Sequence, residues 1–314
     1  MLRKTKRKIC KIISVLIILW IILVPLRTIV YLLSEFVFCV NTYEIPEIYS
    51  AQRDIHERLH IPKRIHQVFF FETSSTLPRK LQKAQQSCIE QHPGYKYTLW
   101  NKTMVNALID REYPDIKDLY NSYGHWVKRA DVARYLVLHH HGGWYIDMDI
   151  VCKHSVEELS TEAENKGASV VVHTTGPVGF SNDFIGISRR HPFLADVMNA
   201  LRYSKRWYFV PYASVMFSTG PTFLWGRYLN YPRKEEFNII ENQDRYLHIL
   251  HGSSWHSVDG VVIWYIFRYS PDFWMILACI FTAISVSSHL YSSESKIVKF
   301  IERTIRYFKN TFIG

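Results

Sequence analysis

Residues 129–149 read RADVARYLVLHHHGGWYIDMD, and the repeat of the pattern changes partway through. Up to His141 the apolar residues recur at helical spacing, and Gly142-Gly143 is a stop signal of the kind helix C-termini favour. Beyond the glycines, WYIDMDIVC (144–152) reads as a strand. Asp131 and Arg134 are three apart on the helix and share a face. On a strand, Tyr145, Asp147 and Asp149 alternate, so all three are expected to project to one side.

The flanking sequence repeats this alternation of strand and helix. IPKRIHQVFFF (61–71) reads as a buried strand after Pro62, residues 77–92 as an amphipathic helix, and Tyr95–Trp100 as a short strand after a His-Pro-Gly turn. Residues 103–123 are helix or loop, and 155–164 a short helix. ASVVVHT (168–174) and NDFIGIS (182–188) are strands, and HPFLADVMNALRYS (191–204) is a helix. Strands alternating with helices imply an α/β domain around a largely parallel sheet. There is no internal repeat, no low-complexity tract, no Gly-x-Gly-x-x-Gly and no phosphate-binding Walker loop.

At 314 residues and 48% hydrophobic composition, the chain can bury a core, which excludes a disordered or collagen-like protein. Five scattered cysteines are too few for a disulfide framework or a zinc ribbon. The net charge of +10 suggests nucleic-acid binding until its distribution is considered. Residues 1–11 hold six basic side chains and no acid, and residues 291–314 hold five against Glu294 and Glu302. The body between is close to neutral, so no basic face for nucleic acid is expected. Charge at both ends points to a membrane instead.

Two apolar runs fit that expectation. Ile12–Leu26 is uninterrupted and continues past Arg27 to Leu33, with Arg27 able to snorkel to an interface. A basic start with a short apolar core also fits a cleaved signal peptide, but no small-x-small site follows it. Phe273–Leu290 has no acidic or basic residue other than His289 and is flanked by Trp264, Tyr265 and Tyr291. The expected layout is therefore a cytosolic basic tail (1–11), a transmembrane anchor (12–33), a stem (34–60), a lumenal domain (61–262), a second transmembrane helix (271–290) and a cytosolic basic amphipathic tail (291–314). Both termini are placed in the cytosol by the positive-inside rule. In an oxidising lumen Cys88 and Cys152 could pair, although nothing in the sequence requires it. Asn101-Lys102-Thr103 is a glycosylation sequon, and Asn101 is equally a helix cap.

Asp147 and Asp149 offer hard oxygen ligands for Mn²⁺ or Mg²⁺, and a cation there could neutralise a departing diphosphate. A bare Asp-x-Asp is common, so its surroundings carry the argument. The three adjacent histidines 139–141 cannot all face one ion from a helix and are not expected to form a metal site.

The string D-x-x-R-Y-x-x-L-x-x-x-G-G-x-Y-x-D-x-D, from Asp131 to Asp149, resembles the sugar-binding Asp-x-Asp region of retaining glycosyltransferases with a GT-A (Rossmann-like) fold. That group includes the fungal initiation mannosyltransferases. IPKRIHQ (61–67) is similar to the group's first strand. GFSNDFIGISRRHPF, WYFVPY, STGPTFLW and HGSSWH-x-x-D resemble, more narrowly, the catalytic subunits of fungal mannosyl-inositolphosphoceramide synthases. The likeness covers about residues 61–260.

The resemblance implies mannose transfer from GDP-mannose to the inositol of inositolphosphoceramide, at a Golgi membrane and with a membrane regulatory subunit. It implies Asp149 as a direct metal ligand, Asp147 as a contact to the donor and the metal shell, and His256 as a third ligand. Asp131, Arg134 and Tyr145 would hold the donor sugar, and His66 and Gln67 would face the nucleotide. Ser254 and Trp255 would close over the diphosphate, and Asn182 and Asp183 would lie near the acceptor. Arg189, Arg190, Arg202, Lys205 and Arg206 could meet the lipid phosphate or form a solvated basic face. The alternatives are a glycoprotein acceptor, a dehalogenase-type phosphatase with Asp147 as nucleophile, and an inactive membrane scaffold. The phosphatase lacks a downstream acidic pair in this sequence.

Overall fold

The computed structural model describes residues 60–70, 77–175, 179–205 and 210–250. Both predicted membrane segments, the stem apart from His60, both tails and the Ser254-Trp255-His256 motif lie outside those residues. Among the described residues no helix is long and apolar enough to cross a membrane.

Strand β1 (Arg64–Val68) leads through helix α1 (Arg79–Gln91) to β2 (Lys96–Trp100). Helices α2 (Lys102–Glu112), α3 (Lys117–Asn121) and α4 (Trp126–His141) then lead to β3 (Gly143–Ile146). Both β2 and β3 pair with β1 in parallel, one on each side. The chain thus leaves β1 to one side and returns to the other, which makes the gap between the carboxyl ends of β1 and β3 a topological switch point. Ligands of open α/β sheets bind at such points.

The second half of the sheet departs from the parallel expectation. Strands β5 (Val170–Thr174) and β6 (Phe180–Ile187) form an antiparallel hairpin, and β6 also runs antiparallel to β3. Strand β7 (Phe237–Ile240) is parallel to β5, giving the order β2-β1-β3-β6-β5-β7. Only residues 175–179 join β5 to β6, far too few for a parallel crossover, which needs a dozen or more. The sheet is therefore mixed.

Side chains alternate between two cores. Tyr145, Val170, Val172, Ile185 and Ile187 face a cluster with α2, α4, α6 (Pro192–Ser204) and α7 (Pro221–Asn230). Trp144, Ile146, Val171 and Phe184 face the other cluster, with α1 and α5 (Glu157–Asn165). Residues Ala130 to Leu138 of α4 are all buried, so its polar members must be satisfied inside the protein.

A second correction concerns WYIDMDIVC. It is not one strand: β3 ends at Ile146, the chain turns through Asp147–Asp149, and β4 (Ile150–Cys152) joins β8 (Leu247–Ile249) in a separate two-stranded sheet. The turn is closed by the Ile150 N–H donating to the Asp147 carbonyl at 3.1 Å. Strand alternation therefore does not place Asp149 beside Tyr145. The pairing left open in the sequence is formed, since a Cys88–Cys152 disulfide ties α1 to β4.

The helix stop is tightly built. Gly142 and Gly143 have φ of 61° and 100°. A Cβ at Gly143 would sit 2.7 Å from the Arg64 carbonyl, and one at Gly142 2.6 Å from the Arg189 nitrogen. Gly143→Ala is expected to destabilise the domain by about 1–3 kcal/mol, measured as a lower urea midpoint, while Gly94→Ala, which meets only the strain of its φ and no neighbour within 4 Å, loses less.

Candidate active site

A buried polar network occupies the carboxyl edge of β3. Asp131, Arg134, Tyr135, Tyr145, Asn182 and Thr219 are each 5% exposed or less. Arg134 pairs with Asp131 at 3.3 Å and with Asp147 at 3.1 Å, and also donates from Nη1 to the Asn182 carbonyl. Its guanidinium lies 4.4 Å from the centre of the Tyr145 ring, and the Tyr145 hydroxyl donates to Asp147 Oδ1 at 2.7 Å. Asp131 accepts from Asn182 Nδ2 at 3.0 Å and from the Thr219 hydroxyl at 2.9 Å. Tyr135 donates to the Thr219 carbonyl at 2.6 Å and accepts from Asn182 Nδ2.

These bonds divide the predicted residues. Asp131, Arg134, Tyr145, Asp147 and Asn182 converge. Asp131 has both oxygens occupied within the protein, whereas Arg134 keeps one buried N–H, at Nε, without an acceptor among the described residues. Tyr135 and Thr219 join this network as well; in the sequence Tyr135 stands within the Asp131–Asp149 string and Thr219 within the run STGPTFLW.

Asp183 lies beside Asp147 because β6 runs antiparallel to β3, and the Asp147 N–H donates to the Asp183 carbonyl at 2.8 Å. Asp183 Oδ1 accepts from His173 Nε2 at 2.6 Å, while His173 Nδ1 sits 2.9 Å from the Thr174 carbonyl. Both ring nitrogens thus face acceptors, an arrangement that favours the doubly protonated ring. Burial works against its charge, but Asp183 raises its pKa overall. Burial would raise Asp183, yet the His173 hydrogen bond holds it below the usual carboxylate value. No sequence pattern marked His173.

Burial, and carboxylate repulsion after it, raises both Asp147 and Asp149. Burial pushes Asp147 up to about 7, Arg134 opposes the shift, and Asp183 and Asp149 add to it. Asp149, half-buried, is raised by burial and then by Asp183. It makes no ion pair among the described residues. Among those residues no three His, Cys, Asp or Glu side chains form a metal-binding group. The donor set does suit a hard divalent cation, since two carboxylates raised first by burial and then by neighbouring carboxylates would be relieved by one. The Leu250 N–H donates to the Asp149 carbonyl at 2.8 Å, so the chain leaves the described residues beside Asp149, six positions before His256.

His66 and Gln67 are both built into the fold. His66 Nδ1 accepts from the Trp100 indole at 3.1 Å, and its Nε2 donates to the Gly142 carbonyl at 3.0 Å. Gln67 accepts from the Tyr97 hydroxyl at 2.7 Å and donates to the Asp147 carbonyl at 3.3 Å, fixing the end of β3 from β1. Arg189 and Arg190 lie at the opposite edge of the sheet. The Arg190 N–H donates to the His139 carbonyl and Arg189 Nε to the His140 carbonyl, at the C-terminus of α4. Arg202 pairs with Asp115. Asn101 caps α2, accepting from the Met104 N–H at 2.9 Å.

The histidines at that opposite edge set an acid limit. Burial lowers His66 to about 3 and His141 to about 4, with the neighbouring basic groups adding to the shift. The folded state thus binds these protons less tightly than the unfolded state does. The stability they permit is complete above about pH 6.5 and is lost as pH falls toward 4 and then 3, by up to about 1.4 kcal/mol per pH unit for each histidine. Urea midpoints from pH 7 to 4 are expected to fall accordingly. They should fall less in His66→Gln, which keeps a donor and an acceptor but does not titrate.

Comparison with known proteins agrees with the Asp-x-Asp reading. Residues 78–166 match the family described as a glycosyltransferase sugar-binding region containing DXD motif. The chain is 35% identical over 212 residues to mannosyl phosphorylinositol ceramide synthase CSH1 of Saccharomyces cerevisiae, covering 64% of this chain and 54% of that protein. It is 32% identical over 239 residues to inositol phosphoceramide mannosyltransferase 3 of Schizosaccharomyces pombe, covering 72% of this chain and 64% of that protein. The chain therefore spans between half and two thirds of the length of these relatives. A solved structure titled PaToxG glycosyltransferase aligns with a TM-score of 0.43 at 13% identity, over 64% of this chain and 76% of that one. The chain carries a glycosyltransferase sugar-binding region, and the resemblance inferred from the motifs is the one the comparisons return.

Proposed function

We propose that this protein is a GT-A-type, metal-dependent, retaining mannosyltransferase that moves mannose from GDP-mannose to the inositol of inositolphosphoceramide. The observation that carries this reading is the Asp131–Arg134–Asp147 network, buried at Asp131 and Arg134 and partly open at Asp147, at the switch point between β1 and β3, within a chain similar to inositolphosphoceramide mannosyltransferases.

Asp147 and Asp149 would hold a divalent cation, Mn²⁺ or Mg²⁺, with His256 as a further ligand from the segment after Leu250. When bound, the cation supplies charge neutralisation for the departing nucleoside diphosphate. The chain's own residues do the positioning. Arg134, locked by two carboxylates, presents a fixed guanidinium whose unpaired Nε–H suits a donor-sugar hydroxyl. Asp131 holds Arg134 and Asn182 in place. Tyr145 and Gln67 fix the side chain and main chain of Asp147, while Ser254 and Trp255 would cover the diphosphate. His173 keeps Asp183 charged beside the acceptor, where it orients the attacking inositol hydroxyl. That hydroxyl attacks from the face the diphosphate leaves, and its proton passes to the leaving diphosphate.

The Cys88–Cys152 disulfide supports an oxidising compartment. With the apolar runs at residues 12–33 and 271–290, it supports a two-pass Golgi protein with a lumenal catalytic domain and both termini cytosolic. A membrane regulatory subunit is part of this reading. Donor and metal are tested by sugar-nucleotide hydrolysis without acceptor, comparing GDP-mannose with UDP-sugars, with Mn²⁺ and after chelation. Hydrolysis that prefers GDP-mannose and stops on chelation is expected. A preference for a UDP-sugar, or full activity in chelator, would overturn the donor or the metal assignment.

A further inference from the structure

Helix α4 ends at the start of β3, so its first turn lies at the same edge as Asp147. Lys128 sits there, one turn before Asp131 and about 9 Å along the axis from Arg134. Nothing in the mechanism uses it. It is 7% exposed, and its ammonium makes one hydrogen bond, to Ser214 Oγ at 2.7 Å. Among the described residues it has no ion pair, because Asp131 is already bound by Arg134, Asn182 and Thr219.

A second cation, Lys205, stands close to it. The two ammonium nitrogens lie 6.0 Å and 5.9 Å from the centre of the same ring, that of Tyr123. The Tyr123 hydroxyl is buried and has no hydrogen-bond partner. The Ser214 hydroxyl accepts from Lys128, and its own proton has no acceptor among the described residues. Burial, and then Lys205, lower the Lys128 pKa, with Asp131 opposing. Two like charges and a buried hydroxyl without a partner stand about one ring, and the nearest carboxylate acting on them, Asp131, is already bound by Arg134, Asn182 and Thr219; such a cluster is complementary to an anion with several oxygens.

We propose that Lys128, Lys205, Ser214 and Tyr123 bind the phosphodiester of the acceptor lipid. This inference rests on the function proposed above. The donor diphosphate belongs with the cation at Asp147 and Asp149. Lys128 is set apart from that point along α4, beyond Asp131 and Arg134. The site reads the phosphate that joins inositol to ceramide, and so selects inositol phospholipids over neutral glycolipids.

The test measures transfer to inositolphosphoceramide, transfer to free myo-inositol, and binding of glycerophosphoinositol, for wild type, Lys128→Gln, Lys128→Arg and Lys205→Gln. Lys128→Gln is expected to raise the acceptor KM and the glycerophosphoinositol Kd about tenfold or more, leaving the donor KM and transfer to free inositol unchanged. Lys128→Arg should retain most of the affinity. Lys205→Gln changes an exposed side chain, so it reports on the site even where Lys128→Gln folds poorly, and it should raise the acceptor KM by a few fold. A rise in donor KM alone would assign the cluster to the donor diphosphate and overturn the proposal. So would equal losses with free inositol, or no change in any variant. Wild type that hydrolyses donor but does not transfer to inositolphosphoceramide would overturn the functional reading and this inference with it. Wild-type transfer with unchanged acceptor KM in both lysine variants would overturn only the inference.

Discussion

Arg134→Ala is expected to abolish transfer and to destabilise the domain by about 3–5 kcal/mol, the usual result of removing one partner from a buried ion pair. Arg134 is fully enclosed, and without it Asp131 is a buried carboxylate that has lost its paired cation and keeps only the weaker influence of Lys128, while Asp147 loses the cation that opposes its raised pKa. Arg134→Lys should rescue little, since a point charge cannot reach Asp131, Asp147 and the Asn182 carbonyl from one position. Adding Asp131→Asn to Arg134→Ala removes the stranded charge, so stability should partly return while activity does not. Urea denaturation of the single and double variants separates the two effects. If Arg134→Ala unfolds at the wild-type midpoint, the network is not holding the edge of the sheet.

Asp149→Ala should behave in the opposite way. Transfer is expected to fall about 10³-fold or more, the scale of losing an electrostatic contact made to developing charge. The fold should be unharmed. Burial and Asp183 raise the Asp149 pKa, so its charge costs stability as pH rises through that pKa, and alanine removes the cost. In metal-free buffer at neutral pH the variant should be as stable as wild type or slightly more so. Loss of activity together with a large loss of stability would mean that Asp149 is structural. The contrast with Arg134 distinguishes a residue that builds the site from one that acts in it.

Much of this arrangement was legible in the sequence because it is local. The helix from Asp131 to the Gly-Gly stop, the strand after it and the Asp131/Arg134 pairing depend on spacings of three to four residues and on glycine conformation. The site's central residues lie within that one stretch. The errors came where the chain changes direction. Asp147–Asp149 looks like strand because the residues around it are apolar, but Asp disfavours strands and the chain turns there into a second sheet. The expectation of a parallel sheet failed at β5–β6, where the short link in residues 175–179 dictates a hairpin. Contacts between distant segments were not readable at all. His173 on Asp183, Thr219 on Asp131 and Ser214 on Lys128 join residues with no shared spacing, and tertiary packing alone brings them together. His66 and Gln67 illustrate the same limit: the apolar run around them places them on β1, but their bonds to Trp100, Gly142, Tyr97 and Asp147 follow from the neighbours that the sheet order supplies.

The most direct test of the proposed activity is incorporation of labelled mannose from GDP-mannose into inositolphosphoceramide by membranes containing the full chain, with the product cleaved to locate the sugar. Metal-dependent label on the inositol headgroup, absent with Asp149→Ala, is the predicted result. Label found only on protein glycans, or equal incorporation by wild type and Asp149→Ala, would contradict it.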